Sequence, residues 1–262
     1  MKEPEIDLWN MIKQEWEYFY SHYREYDEKR MINIVMPDDA YQMALKCDMC
    51  DTQRREISQK GDGLNKINGT VLLAPSCDKS TTVLVPKQAM LGRSLAEIRG
   101  TIIHELTHAN DFYDYLEFLN IDNYDKVFAD VYYNAFFNWT EFHARQLGYK
   151  RYVEYTFIKS WKLFKKSKKN LLENICLNFN NHTENGIKYD LMQAMGRYYS
   201  FCSLSGSAMK MNFKEDILKG NVDATVLDEY EEIYEFLCEH REFDVFIKDI
   251  EEFQKLLDSI EE

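Results

Sequence analysis

Apolar residues recur at helical spacing from the start of the chain. Ile6, Leu8, Trp9, Ile12, Trp16, Phe19, Tyr20 and Tyr23 predict a helix over residues 5–30. The short apolar run Ile32 to Met36, closed by Pro37-Asp38-Asp39, reads as a strand. Ala40 to Ile57 is again helical in pattern, and Lys60-Gly61-Asp62-Gly63 breaks it. From Asn68 the period changes. Gly69 to Ala74 (GTVLLA) and Thr81 to Val85 (TTVLV) are rich in β-branched residues, with Pro75-Ser76-Cys77-Asp78-Lys79 between them. They predict a β-hairpin or two adjacent strands, with Pro75 and Pro86 at strand ends where a missing N–H does least harm.

A long helix is predicted to start after Ser94. Ser94-Leu95-Ala96-Glu97 has the spacing of a capping box, and Leu95, Ile98, Ile102 and Leu106 give an apolar stripe running toward Phe118. Asn120 to Asn123 is turn-like, and a second long helix is expected from Tyr124 to Leu147, with Gly148 as its left-handed terminating residue. Beyond it the pattern stays helical, with breaks near Asn178 to Gly186, Ser203 to Ser207 and Gly220 to Asp223. Asp249 to Glu262 reads as a terminal amphipathic helix. The expected fold is α+β and predominantly helical, with a small sheet or hairpin beside the Ser94 helix. Residues 1–148 would hold the sheet and its helices, and 149–262 a helical half packed on them as one globular unit.

Composition narrows the partners. A chain of 262 residues with 45% hydrophobic and 15% aromatic residues can bury a large core. Its net charge of −13 repels phosphate backbones and anionic membrane surfaces, so neither nucleic acid nor membrane is expected as a partner. The basic run from Lys150 to Lys169 reads as a solvated helix face, or as a docking patch for an acidic partner. No run of apolar residues is long enough to cross a bilayer. Lys2 is followed by Glu3, Glu5 and Asp7 without an apolar stretch, unlike a secretory signal. Six cysteines then fit reduced thiols and a cytoplasmic setting.

The chemistry concentrates at His104-Glu105-Leu106-Thr107-His108. Two histidines four residues apart share one helix face, so both imidazoles can meet a single tetrahedral ion at about 2.0–2.1 Å. Glu105 is turned by about 100° from His104, beside the ion rather than on it. From there its carboxylate can take a proton from an activated water and pass it to a leaving amine. The competing reading is a surface helix whose histidines face solvent.

The run His104-Glu105-Leu106-Thr107-His108-Ala109 resembles the HELTHA helix of thermolysin-like zinc metallopeptidases, and the strand and capped helix resemble zincins generally. The resemblance spans residues 68–148. It implies two histidine ligands to Zn2+, Glu105 as general base, an edge strand that holds the substrate backbone, and a glutamate ligand on a following helix.

Glu141, in Trp139-Thr140-Glu141-Phe142-His143-Ala144-Arg145, is the leading third ligand. With a turn near residue 121, the offset between the motif and Glu141 is roughly 6–8 Å along antiparallel helices, within reach of a longer loop or an angled crossing. Glu141 and His143 point about 200° apart on a helix and cannot both reach one ion. His143 falls in an aromatic stripe with Tyr132, Phe136, Trp139 and Leu147; it or an interhelical Asp would be the alternative ligand. Asp111 suits a supporting or surface role. The thermolysin-like pattern has an Asp four residues after its ligand Glu; here that position is Arg145, so a broader gluzincin-like group is the nearer likeness.

Oxyanion donors could come from His143, His182, Tyr189, Arg197, Tyr198 or Tyr199. Cys47 and Cys50 form a CxxC with Cys77 downstream, one ligand short of a structural zinc set. The expected function is a zinc-dependent peptidase acting on a protein or peptide, with oligomeric state open. The alternatives are a binding or regulatory protein on the same scaffold, with a structural metal or none, and a metal hydrolase of another amide.

Overall fold

The computed structural model describes residues 8–156, 166, 168–173, 176, 187–204, 212–218 and 224–260. The fold is predominantly helical with one small sheet, and it divides into two compact units, Met1–Asp130 and Val131–Glu262. Among the described residues no helix is long and apolar enough to cross a membrane.

The first unit opens with α1 (Leu8–His22), β1 (Ile32–Val35), α2 (Ala40–Ala44) and α3 (Asp51–Lys60). A 3-10 turn (Gly61–Lys66) leads to β2 (Thr70–Leu72) and β3 (Thr81–Leu84), followed by α4 (Lys87–Met90), α5 (Leu95–Phe118) and α6 (Tyr124–Val127). The sheet order is β1-β3-β2. β1 runs parallel to β3 with Ile32 opposite Thr81, and β2 runs antiparallel to it with Thr70 opposite Leu84. Both predicted strands of the β2–β3 pair are therefore present.

Strand alternation sorts the two faces of the sheet. Leu72 and Leu84 enter a core with Ala40, Ala44, Met49, Ile57 and Leu64. Gly69, Val71 and Leu73 have the opposite parity, and on that side α5 packs against β2 and β3. The capping box at the start of α5 is complete: Ser94 Oγ accepts from Glu97 N, and the Glu97 carboxylate accepts from Ser94 N at 2.7 Å. The Ser94 hydroxyl also donates to the Glu97 carboxylate at 2.7 Å, and this bond with that from Ser94 N holds the Glu97 carboxyl below the usual carboxylate range.

β2 lies at the edge of the sheet, but its outer side is covered. Gln53 of α3 donates from Nε2 to Val71 O at 2.9 Å and accepts from Leu73 N at 2.6 Å. One side-chain amide thus reproduces the donor and acceptor pair of a neighbouring strand. Just before α3, Cys50 N donates to Leu73 O at 2.9 Å.

Three predicted boundaries move. The first helix stops at His22, and residues up to 30 are turns and extended chain. The helix expected over Ala40 to Ile57 is two helices, because the chain between them is drawn to β2 by the Cys50 bond. The helix expected over Tyr124 to Leu147 is broken near its start, into α6 and a long helix that begins at Tyr133. Asn123 Oδ1 caps it through Asp125 N, the Asp125 carboxylate takes the N–H groups of Asp51 and Thr52, and Asp130 accepts from Tyr115 OH at 2.6 Å. These bonds hold residues 123–130 as a compact turn.

The second unit holds α7 (Tyr133–Thr156), α8 (Ile187–Leu204), α9 (Phe213–Leu218), α10 (Ala224–Glu239), α11 (Phe243–Phe246) and α12 (Ile250–Ser259). Gly148 does not end a helix; it is buried inside α7, which continues to Thr156. A helix-interior glycine costs about 1 kcal/mol, and buried Ala144 and Val153 on either side carry the helix through it. Trp139 anchors this unit: its ring stacks on Phe246 at 4.6 Å and its Nε1 donates to His240 O at 2.7 Å. The predicted terminal amphipathic helix is α12, with Ile250, Phe253 and Leu257 buried. Residues 157–165 and 167 of the Lys150 to Lys169 run, and the breaks at 178–186 and 220–223, lie outside the described residues.

Replacing Gln53 with Ala removes the partners of Leu73 N and Val71 O together. The expected loss is about 2 kcal/mol of unfolding free energy, measured as a lower urea midpoint at unchanged slope.

Candidate metal centre

The middle of α5 is buried on every side, yet it carries His104, Glu105, Thr107, His108, Asn110, Asp111 and Asp114. Buried polar groups are costly unless they are partnered. Several of these partners belong to the helix and its neighbours. Thr107 Oγ1 donates to Ile103 O at 2.8 Å, and Asn110 Nδ2 donates to Leu106 O at 2.8 Å and to Tyr20 OH at 3.2 Å. Asp114 accepts from Arg24 and, at 2.6 Å, from Arg30. Burial pushes the Asp114 carboxyl up, against the pull of those two guanidinium groups. Arg99 pairs with buried Glu15, which ties α1 to the start of α5.

His104 and His108 sit one turn apart as their spacing predicts, both 7% exposed, and their Nε2 atoms are 3.2 Å apart. The rings meet edge to face, at 88°. Two nitrogens that ligate one tetrahedral ion at about 2.0–2.1 Å stand roughly 3.3–3.4 Å apart. The histidine pair is therefore spaced for a shared ion with no further movement. A solvent-facing pair, the alternative at the sequence level, does not fit this burial.

Glu105 is 5% exposed and its side chain runs against the backbone of Gly69, the residue before β2. A Cβ built on Gly69 would stand 2.6 Å from Glu105 Oε1 and 2.7 Å from its Cδ and Cγ. No side chain fits there without moving the carboxylate.

On α7, Glu141 is buried. One ligand atom each from His104, His108 and Glu141 lies within 4.8 Å of the others, and among the described residues this is the one such group of His, Cys, Asp and Glu. The three residues read as ligands from the sequence thus fall in one group.

Gln193 of α8 is the residue that sequence reasoning missed. Its Nε2 faces Glu141 Oε2 at 3.4 Å, and its Oε1 accepts from Arg145 Nη2 at 2.6 Å and from Arg197 Nη2 at 3.4 Å. Arg145, standing where the thermolysin-like pattern has an Asp, therefore reaches the glutamate through an amide. The Arg197 guanidinium is pushed down to about 10, by burial first and then by the charge of Arg145. A signal existed in Gly196, three residues later. Its missing Cβ would stand 2.5 Å from Phe142 O and 3.0 Å from Arg145 Cβ, so α8 lies directly on the α7 segment that carries Glu141.

The other predicted residues separate. His143 packs on Trp139 with ring centroids 4.9 Å apart, in the aromatic stripe as expected. Asp111 is fully buried, which corrects the surface part of its expected role. Tyr198 donates to Asp216 at 2.7 Å, Tyr199 accepts from Arg241, and Tyr189 stacks on Phe137. Of the oxyanion candidates, Arg197 is the one joined to Glu141 through Gln193; His182 lies outside the described residues. Cys50 is buried, with burial pushing its thiol up to about 11, while Cys77 is exposed.

Compared with known protein families, characterised proteins and solved structures, the chain matches none.

A methyl group at position 196 must push α8 off backbone atoms of α7. Gly196→Ala is expected to cost about 1–3 kcal/mol in unfolding free energy, read from denaturant melts of the whole chain.

Proposed function

We propose that this chain is a zinc-dependent peptidase of the zincin type, gluzincin-like in its ligand set. The observation that carries the reading is the 3.2 Å separation of the His104 and His108 Nε2 atoms, with Glu141 in the same group and a buried Glu105 beside it. Two imidazoles and one carboxylate are the donor set of catalytic zinc, which keeps its fourth position open. When bound, the ion would supply Lewis acidity, drawing the pKa of a water toward about 7 and polarising a carbonyl.

The chain's own residues do the rest. His104, His108 and Glu141 hold the ion, and Gln193 keeps the Glu141 carboxylate oriented through its amide N–H. Glu105 accepts a proton from the attacking water at its carboxylate and returns it to the leaving amine nitrogen, so it is restored at the end of each turnover. A substrate backbone laid along β2 would find Val71 O and Leu73 N already taken by Gln53. That leaves the Gly69 end of the strand, the part next to Glu105, for the scissile peptide. A purely structural metal site has no use for this carboxylate, which disfavours the non-catalytic scaffold.

Bound zinc and cleavage of a peptide library test the reading together. The wild type is expected to carry one zinc per chain. Glu105→Gln should keep that zinc and lose activity by about 10²–10⁴-fold. Glu141→Ala should weaken zinc binding by more than about tenfold. Equal cleavage by the wild type and Glu105→Gln would sink the peptidase reading; unchanged zinc affinity in Glu141→Ala would remove that ligand.

A further inference from the structure

Gly69 and Glu105 are far apart in sequence and in hard contact in space. A Cβ at position 69 would meet three atoms of the Glu105 side chain at 2.6–2.7 Å, from Cγ to the carboxylate oxygen. The conflict involves the length of the side chain, not only its tip, so a small swing of Oε1 would not relieve it. Glu105 is buried, and its helix is pinned at its start by the capping box and by Arg99 on Glu15. Below Gly69, β2 is fixed by its ladder to β3 and by Gln53. Neither side can yield easily. The conformation of Gly69 is not what demands glycine, since among the described glycines φ is positive at Gly61 and Gly92. What selects glycine is the space that Glu105 fills.

Resting on the peptidase reading, we infer that Gly69 is a positioning residue: its bare backbone forms the wall that fixes the Glu105 carboxylate in the orientation from which it handles the proton. A base displaced by about 1 Å can lose on the order of 10²-fold in rate while the ligands stay intact.

The test uses the full-length, zinc-loaded chain. Gly69→Ala is expected to keep one zinc per chain and an unchanged zinc affinity, while kcat falls about 10- to 100-fold with little change in KM. Shortening the base should compensate, so Glu105→Asp is expected to cost less activity in the Gly69→Ala background than in the wild type. A stability cycle reads the same contact without activity: the destabilisation caused by Gly69→Ala should largely vanish when Glu105 is also replaced by Ala. If Gly69→Ala does not fold alone, recovery of folding in that double variant supports the contact, and failure of both overturns it. Full activity in Gly69→Ala alongside a dead Glu105→Gln overturns the role of Gly69 and leaves the peptidase standing. A zinc-loaded wild type that cleaves nothing overturns both.

Discussion

The structure depends on burying the polar middle of one helix. A five-residue stretch of α5 places two imidazoles, a carboxylate and a hydroxyl where side chains are 1–7% exposed. A surface helix would carry such groups at no cost; a buried one must partner each of them. Around the stretch the answer is visible. Thr107 and Asn110 turn back onto their own helix, and Asp114 takes two arginines. The His104–His108 pair is arranged differently, with two like atoms facing each other at 3.2 Å. In neutral imidazoles such a meeting is satisfied by one proton lying between the nitrogens, or by a cation placed at the convergence of both lone pairs. On the proposed reading a cation takes that place, with the buried Glu141 carboxylate as its third ligand.

Two glycines follow from that burial. Gly69 lets β2 lie on Glu105, and Gly196 lets α8 lie on the backbone of α7 at Phe142. In both places the absent methyl group brings a backbone within reach of a carboxylate that the proposed chemistry uses, directly at Glu105 and through Gln193 at Glu141. Neither glycine is needed for a left-handed turn. Their role is close approach, the second reason a chain keeps this residue inside regular structure.

This difference decides how much the sequence could reveal. The capping box, the β2–β3 pair and the spacing of His104 and His108 are local patterns, and each is present. The edges that moved were set by distant bonds. Asp125, beside the break in the helix expected over Tyr124 to Leu147, serves α3, and Cys50 divides the helix expected over Ala40 to Ile57 by bonding Leu73. Gln193 could not be found by spacing, because it lies 52 positions from Glu141 and is ordinary in its own helix. Asp111 carried no sign of its complete burial, since the middle of this helix is buried on all sides and leaves no solvent face to reveal by periodicity.

The sheet edge shows how these constraints limit what can pair with β2. An uncovered β2 would offer its whole outer side to any extended chain, a general invitation to pairing. Gln53 closes the Val71–Leu73 part with a side chain that copies a strand, and Cys50 adds a backbone bond at Leu73 O. A glutamine amide is suited to this, because donor and acceptor sit on one planar group at the spacing of a peptide. Closing that part confines any added strand to the end near Gly69. There Gly69 carries no side chain and Glu105 lies against it, so on the proposed reading the stretch of edge left for a peptide is the one beside the proposed base.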